Sequence, residues 1–141
     1  LKAEIAWMCT GNPYIGVPGV SNHKGLETVL RNLKEQGLKR VYECYDMDKM
    51  MELSCKHDEK SACRQCEHGI HLYHGECPRK RRKRDMIRKG CIKLYEICEE
   101  LNVSCKRVTW DTDASGTWME HYKGVDDWIL RKEEKGNCKT A

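Results

Sequence analysis

Two aspartates one residue apart, in Asp46-Met47-Asp48, follow the β-prone run Val41-Tyr42-Glu43-Cys44-Tyr45. Just past a strand, such a pair can turn both carboxylates the same way and offer oxygen ligands to a hard divalent cation. Magnesium suits them: it keeps several waters, needs only one or two protein carboxylates and leaves positions for substrate phosphate. The plainer reading is a solvated turn, since aspartate is common where strands end. A second acidic pair stands in Lys123-Gly124-Val125-Asp126-Asp127-Trp128, at the expected start of the last helix. It can face the same sheet edge, or it can simply complement the helix dipole.

The second constellation is sulfur. Cys55-x7-Cys63-x2-Cys66-x10-Cys77 supplies four thiolates, and its central Cys-x-x-Cys has the short spacing with which two sulfurs grip one tetrahedral ion. The segment around it has too few apolar residues to stabilise itself by burial, and a structural zinc would provide that free energy. Four protein ligands would close the coordination sphere, so the role is structural. His57, His68, His71 and His74 are possible substitutes or outer partners. Disulfides, or a metal-free polar loop, are the competing readings. A redox Cys-x-x-Cys is weaker, because Cys63 and Cys66 do not open a helix after a strand.

Six consecutive cations, Arg79, Lys80, Arg81, Arg82, Lys83 and Arg84, carry more positive charge than the chain's formal net of +4. Such a run can neutralise several phosphates and give salt-dependent, sequence-independent affinity for DNA or RNA. A solvated basic stretch is its plain alternative. Lys123, beside the second acidic pair, is a further candidate for phosphate. Trp7, Trp110 and Trp128 are expected in the core, whereas Trp118, in a polar Ser-Gly-Thr-Trp stretch, is a candidate for stacking on a base.

The elements that must position these residues alternate. Ala3, Ala6, Trp7 and Thr10 fall on one helical face, closed by Gly11-Asn12-Pro13. The run 14–17, Tyr-Ile-Gly-Val, reads as a short strand turning at Pro18-Gly19. Leu26, Val29, Leu30 and Leu33 mark an amphipathic helix ending at Gly37, and the β-prone run then leads to Asp46. Residues 50–84 break the periodicity and read as an insertion, a zinc-ribbon-like loop followed by the basic run. A long helix is expected from Asp85 as N-cap, through Ile87, Cys91, Leu94, Tyr95, Cys98 and Leu101. Val103 to Trp110 reads as a strand whose alternation changes phase, as at a bulge, and a last helix starts near Val125. Alternating strands and helices imply an α/β fold, mainly a parallel sheet with helices on both faces and ligands at the strands' carboxyl ends.

The 141 residues suit a single domain. With 34% charged and 39% apolar residues the chain is neither disordered in general nor membrane-spanning, and it opens on no secretory signal. The 10 cysteines divide between the polar cluster and helical core positions such as Cys91 and Cys98. That split points to a reducing, cytoplasmic compartment rather than a disulfide framework.

The order of these pieces resembles the Toprim domain shared by primases, type IA and type II topoisomerases and related nucleases. Asp46 and Asp48 match its Asp-x-Asp, and Lys123, Asp126 and Asp127 resemble the later primase-type motif. The whole chain is similar to a Toprim-like family of phage and integrative-element proteins, on Gly16-Val17-Pro18-Gly19-Val20 and on Lys123-Gly124-Val125-Asp126-Asp127-Trp128. The resemblance implies a Rossmann-like fold and magnesium-dependent primase-, nuclease- or topoisomerase-like chemistry. In it Asp46, Asp48, Asp126 and Asp127 form the catalytic acidic set, and helicase or primase modules are companions. It also implies a glutamate ending a strand just before Leu1, so that the chain reads as a fragment lacking that strand and acid. Glu4, the nearest acid, lies within the first helix, and on this view the fragment by itself catalyses nothing. A non-catalytic zinc-containing nucleic-acid-binding or scaffold module is the second expectation. A phosphatase of the haloacid dehalogenase type, with Asp46 as nucleophile, is the third. That family wants Thr or Val two residues after the second aspartate, where Met50 stands.

Overall fold

The computed structural model describes residues 1–54 and 76–137, with side chains described through Lys132. Four α-helices and two β-strands among the described residues follow the expected order with one exception. α1 (Lys2–Thr10) ends at Gly11, which takes the left-handed conformation that a residue with no Cβ adopts without strain, φ 68°. Its N–H closes the helix on the Trp7 carbonyl. α2 (His23–Glu35) buries Leu26 and Leu30, while Val29 lies toward solvent.

The exception is the stretch at 14–17, expected as a strand, which is irregular. Gly16, Pro18 and Gly19 explain it: proline has no N–H to give a ladder, and Gly19 turns at φ 86°. Instead of pairing, Val17 packs on the core, and Val20 lies directly over Gly90 of the long helix described next. A Cβ on Gly90 would stand 2.8 Å from the Val20 Cβ and 2.9 Å from its carbonyl oxygen. Glycine is therefore required there by close approach.

β1 (Arg40–Glu43) and β2 (Ser104–Arg107) pair in parallel, Arg40 with Ser104 through Glu43 with Arg107. The chain is thus mixed α/β with a two-stranded parallel sheet among the described residues, smaller than the sheet expected from the sequence. β2 runs without a bulge, and the ladder extends one bond further, from the Val108 N–H to the Glu43 carbonyl at 2.9 Å.

Between the strands lies α3 (Pro78–Glu100), which begins seven residues before the expected Asp85. Proline at the first helical position has its φ already set and loses no bond for lack of an N–H. The arginines and lysines that follow are good helix formers. The basic run is therefore the first two turns of α3 and not the end of a loop, and Asp85 is interior to the helix. α4 (Val125–Asn137) starts where the sequence placed it, with Asp126 and Asp127 in its first turn.

Two clusters form the interior. In one, Leu26 and Leu30 of α2 meet Leu94, Ile97 and Cys98 of α3 and Val103. In the other, Met47 is enclosed by Trp110 and Trp118, with Tyr122, Val125 and Trp128 packed around them. Trp118 is therefore core and not a base-stacking platform: its Nε1–H donates to the Tyr122 carbonyl at 3.3 Å. Trp7 reverses its expectation too and is 55% exposed, because Ala6 and not Trp7 faces inward. Among the described residues no helix is long and apolar enough to cross a membrane.

Candidate functional site

β1 ends at Glu43, and after a short extended link Met47–Met50 forms a single tight turn that carries Asp48 and Lys49. Met47, buried completely, anchors this turn in the tryptophan cluster, and its N–H donates to the Lys123 carbonyl at 2.9 Å. One hydrophobic side chain and one backbone bond thus bring the Asp-x-Asp against the Lys123–Asp127 segment.

Three lysines from three parts of the chain converge on the two aspartates. Lys2 of α1 lies 3.1 Å from Asp46 Oδ1. Lys123 lies 3.6 Å from Asp46 Oδ2 and 2.9 Å from Asp48 Oδ2. Lys83, a member of the basic run, reaches the same Asp48 oxygen at 3.0 Å. Asp48 is 2% exposed, whereas the side chains of Lys83 and Lys123 each keep 48% of their surface in solvent. The Asp48 carboxylate holds the Lys123 ammonium above its usual pKa, against the opposing effect of partial burial. Both ammonium groups therefore compete for the one buried oxygen, Asp48 Oδ2.

Asp126 is 8% exposed, and its Oδ1 is buried with no hydrogen-bond partner. Gly124 explains how it fits: a Cβ there would collide with Asp126 Oδ1 and lie 3.0 Å from Lys2 Nζ. The missing side chain lets the Asp126 carboxylate and the Lys2 ammonium crowd the same point. Asp127 is exposed and makes no hydrogen bond or ion pair with this group among the described residues. Of the four expected acids, Asp46 and Asp48 share the lysines, Asp126 lies against Gly124 where Lys2 also approaches, and Asp127 is exposed.

Asp111 shapes the approach of Lys123. This buried residue accepts from the His121 N–H at 2.7 Å and the Tyr122 N–H at 3.0 Å, and its other oxygen meets His121 Nδ1 at 3.0 Å. Burial pushes its pKa up, but the hydrogen bonds from Tyr122 and His121 outweigh it, and the carboxyl titrates below its usual value.

Beside the site and unforeseen in the sequence is a closed ionic group. Glu43 Oε1 accepts from Lys49 Nζ at 2.7 Å and from the Tyr45 N–H at 2.8 Å. Its Oε2 accepts from the Tyr95 hydroxyl at 3.0 Å and from Arg107 Nε at 3.2 Å. Lys49 also donates to the Val108 carbonyl at 2.8 Å and lies over the Trp110 ring. The readable signal was an acid in a strand and a lysine just after the Asp-x-Asp, but nothing in their spacing announces a pair.

For a metal, the donor set is informative. Among the described residues no three His, Cys, Asp or Glu side chains are grouped to cage an ion. Asp46 and Asp48 are the residues that could offer carboxylate oxygens to a cation that keeps most of its water. Of the expected zinc ligands, Cys55, Cys63 and Cys66 lie outside the described residues, as do His57, His68, His71 and His74. Cys77 is described: it is buried, precedes α3 as its N-cap, and its N–H donates to the Leu53 carbonyl at 2.8 Å. Ser54 and Glu76 pair antiparallel, so the chain leaves and returns at one point.

Of the basic run, Lys83 turns to Asp48, Lys80 donates to the Ser54 carbonyl, Arg81 pairs with Glu76 and Arg84 donates to the Met51 carbonyl. Arg79 and Arg82 are exposed on the same helix. Comparison with protein-family models, with curated proteins and with solved structures finds no match to this chain.

Proposed function

We propose that the chain is a Toprim-type module acting on nucleic acid, in which Asp46 and Asp48 hold magnesium and Asp126 supports them. One observation carries the reading. Two motifs far apart in sequence, Asp46-Met47-Asp48 and Lys123 to Asp126, meet just past the carboxyl end of a parallel strand, joined by the Met47–Lys123 backbone bond. That is where α/β sheets place ligands.

Magnesium bound there would supply positive charge beside a phosphate oxygen. The chain's own residues do the rest. Lys2, Lys83 and Lys123 bring ammonium groups to the same point and suit the charge of a phosphodiester. The first turn of α3 contains no acid, so Arg79 to Lys83 stack cations on a helix end that already favours anions. Glu76 and Asp48 balance two of these charges, and a phosphate backbone would add further anions. Cys55, Cys63, Cys66 and Cys77 are proposed to hold a structural zinc at the base formed by the Ser54–Glu76 pairing.

The test is magnesium-dependent processing of labelled single- and double-stranded DNA and RNA, with and without nucleoside triphosphates. Activity should fall by about 100-fold or more in Asp46→Asn/Asp48→Asn. The exposed cations of α3 favour a second reading, a non-catalytic nucleic-acid-binding module. Binding that survives in the double variant, with no turnover in either protein, would select it.

A further inference from the structure

Positive charge at the Asp-x-Asp is already spoken for. Lys83 and Lys123 both contact Asp48 Oδ2, and Lys2 and Lys123 both contact Asp46. Each of the three ammonium groups is thus held by one or both aspartates and is not free for phosphate. The lysines are also the mobile partners. Asp48 is buried on its rigid turn, while each lysine is a flexible four-carbon stem about half exposed.

A second feature points to a ligand. Asp126 Oδ1 is buried, has no hydrogen-bond donor and lies against Gly124, where Lys2 Nζ also approaches. A buried carboxylate oxygen without a donor costs free energy unless something else satisfies it. A divalent cation at Asp46 and Asp48 competes with the lysines for the same oxygens, and it frees Lys2, which shares the gap at Gly124 with Asp126 Oδ1, to turn to that oxygen.

We propose that Lys83 and Lys123 are exchangeable counterions: they neutralise Asp48 when no divalent cation is held there, and turn to nucleic-acid phosphates when one is. The inference rests on the magnesium and nucleic-acid reading above and adds a linkage between the two ligands. Magnesium releases two ammonium groups on the rim of the basic helix, so each ligand raises the affinity for the other by the same factor. The direction is diagnostic. Magnesium ordinarily weakens the binding of a cationic protein to nucleic acid, because it competes for the phosphates.

The experiment measures binding of the full chain to fluorescent oligo(dT) by anisotropy at constant ionic strength, with magnesium raised from zero into the millimolar range. For the unaltered protein, affinity should rise by about fivefold or more. In Asp48→Asn the lysines are released permanently, so affinity without magnesium should match or exceed that of the unaltered protein with it. Magnesium should then only weaken binding. If Asp48→Asn folds poorly, Lys83→Met alters an exposed stem instead. Magnesium affinity, read by calorimetry, should tighten about threefold as a competitor is removed, while the gain in oligo(dT) affinity shrinks.

A fall in affinity with magnesium, alike in the unaltered protein and in Asp48→Asn, would overturn the exchange while leaving the functional reading in place. Failure of the chain to bind oligo(dT) at every magnesium concentration would overturn both.

Discussion

Two carboxylate–cation groups lie within a few residues of each other at the end of β1, and they are built on opposite plans. Around Glu43 both oxygens receive two donors, and the side chains of Glu43 and Lys49 have no exposed surface. Around Asp46 and Asp48 the lysines are about half exposed, and Asp126 Oδ1, across Gly124 from Lys2, is buried without a hydrogen bond. The second group holds more charges than the first, and its side chains are less enclosed. A saturated group has no valence left for a ligand and serves to lock β1, β2, α3 and the Met47–Met50 turn together. An unsaturated, rim-exposed group holds its charges at a cost that a ligand can relieve.

The comparison breaks most visibly at Lys49. Lys49→Met leaves Glu43 buried with one cation fewer and should cost about 3–5 kcal/mol, read from chemical denaturation. Replacing both partners, Glu43→Gln with Lys49→Met, should cost clearly less than the sum of the single changes. A loss under about 1 kcal/mol for Lys49→Met would mean that the pair is not closed.

A smaller effect should appear in alkali. Burial, followed by the nearby Glu43 charge, pushes the Cys91 thiol from 9.0 to about 11. The folded chain therefore keeps a proton that the unfolded chain releases. The stabilisation is complete below about pH 9 and is lost as pH rises through about 11. Urea midpoints measured across that range should fall, and Cys91→Ala should flatten the decline while lowering the plateau. A stability that is flat to pH 11 in the unaltered protein would contradict this.

The smallest change is expected at the open group. Asp48→Asn frees two half-exposed lysines to water, and stability should move by no more than about 1 kcal/mol in thermal or urea unfolding. A loss as large as that of Lys49→Met would show that the two groups share one structural role.

Much of this arrangement is legible in the residues. The period of Leu26, Leu30, Leu94 and Cys98 gives the facing helices, and the β-prone run before Asp46 gives the strand. The start of α3 was masked because six cations look like a loop, while their helix propensity and Pro78 at the first position outweigh the unfavourable dipole. Gly16-Val17-Pro18-Gly19-Val20 looked like a strand because its apolar residues do pack, though Pro18 and Gly19 deny it a ladder. The tryptophans exchanged places because burial depends on which face a neighbouring element covers, and α1 turns Ala6 inward.

By itself, then, the sequence determined the local chemistry: an Asp-x-Asp beyond a strand, a lysine and acids opening the last helix, and a cationic run. Each follows from residue type and short-range spacing. Only the tertiary structure decided which charges meet. Met47 in its tryptophan cluster draws Lys123 to Asp48, the length of α3 carries Lys83 to the same oxygen, and the missing Cβ of Gly124 admits Asp126 beside Lys2. Those partners come from distant parts of the chain, and pairing at such separation is set by packing, which no local pattern encodes.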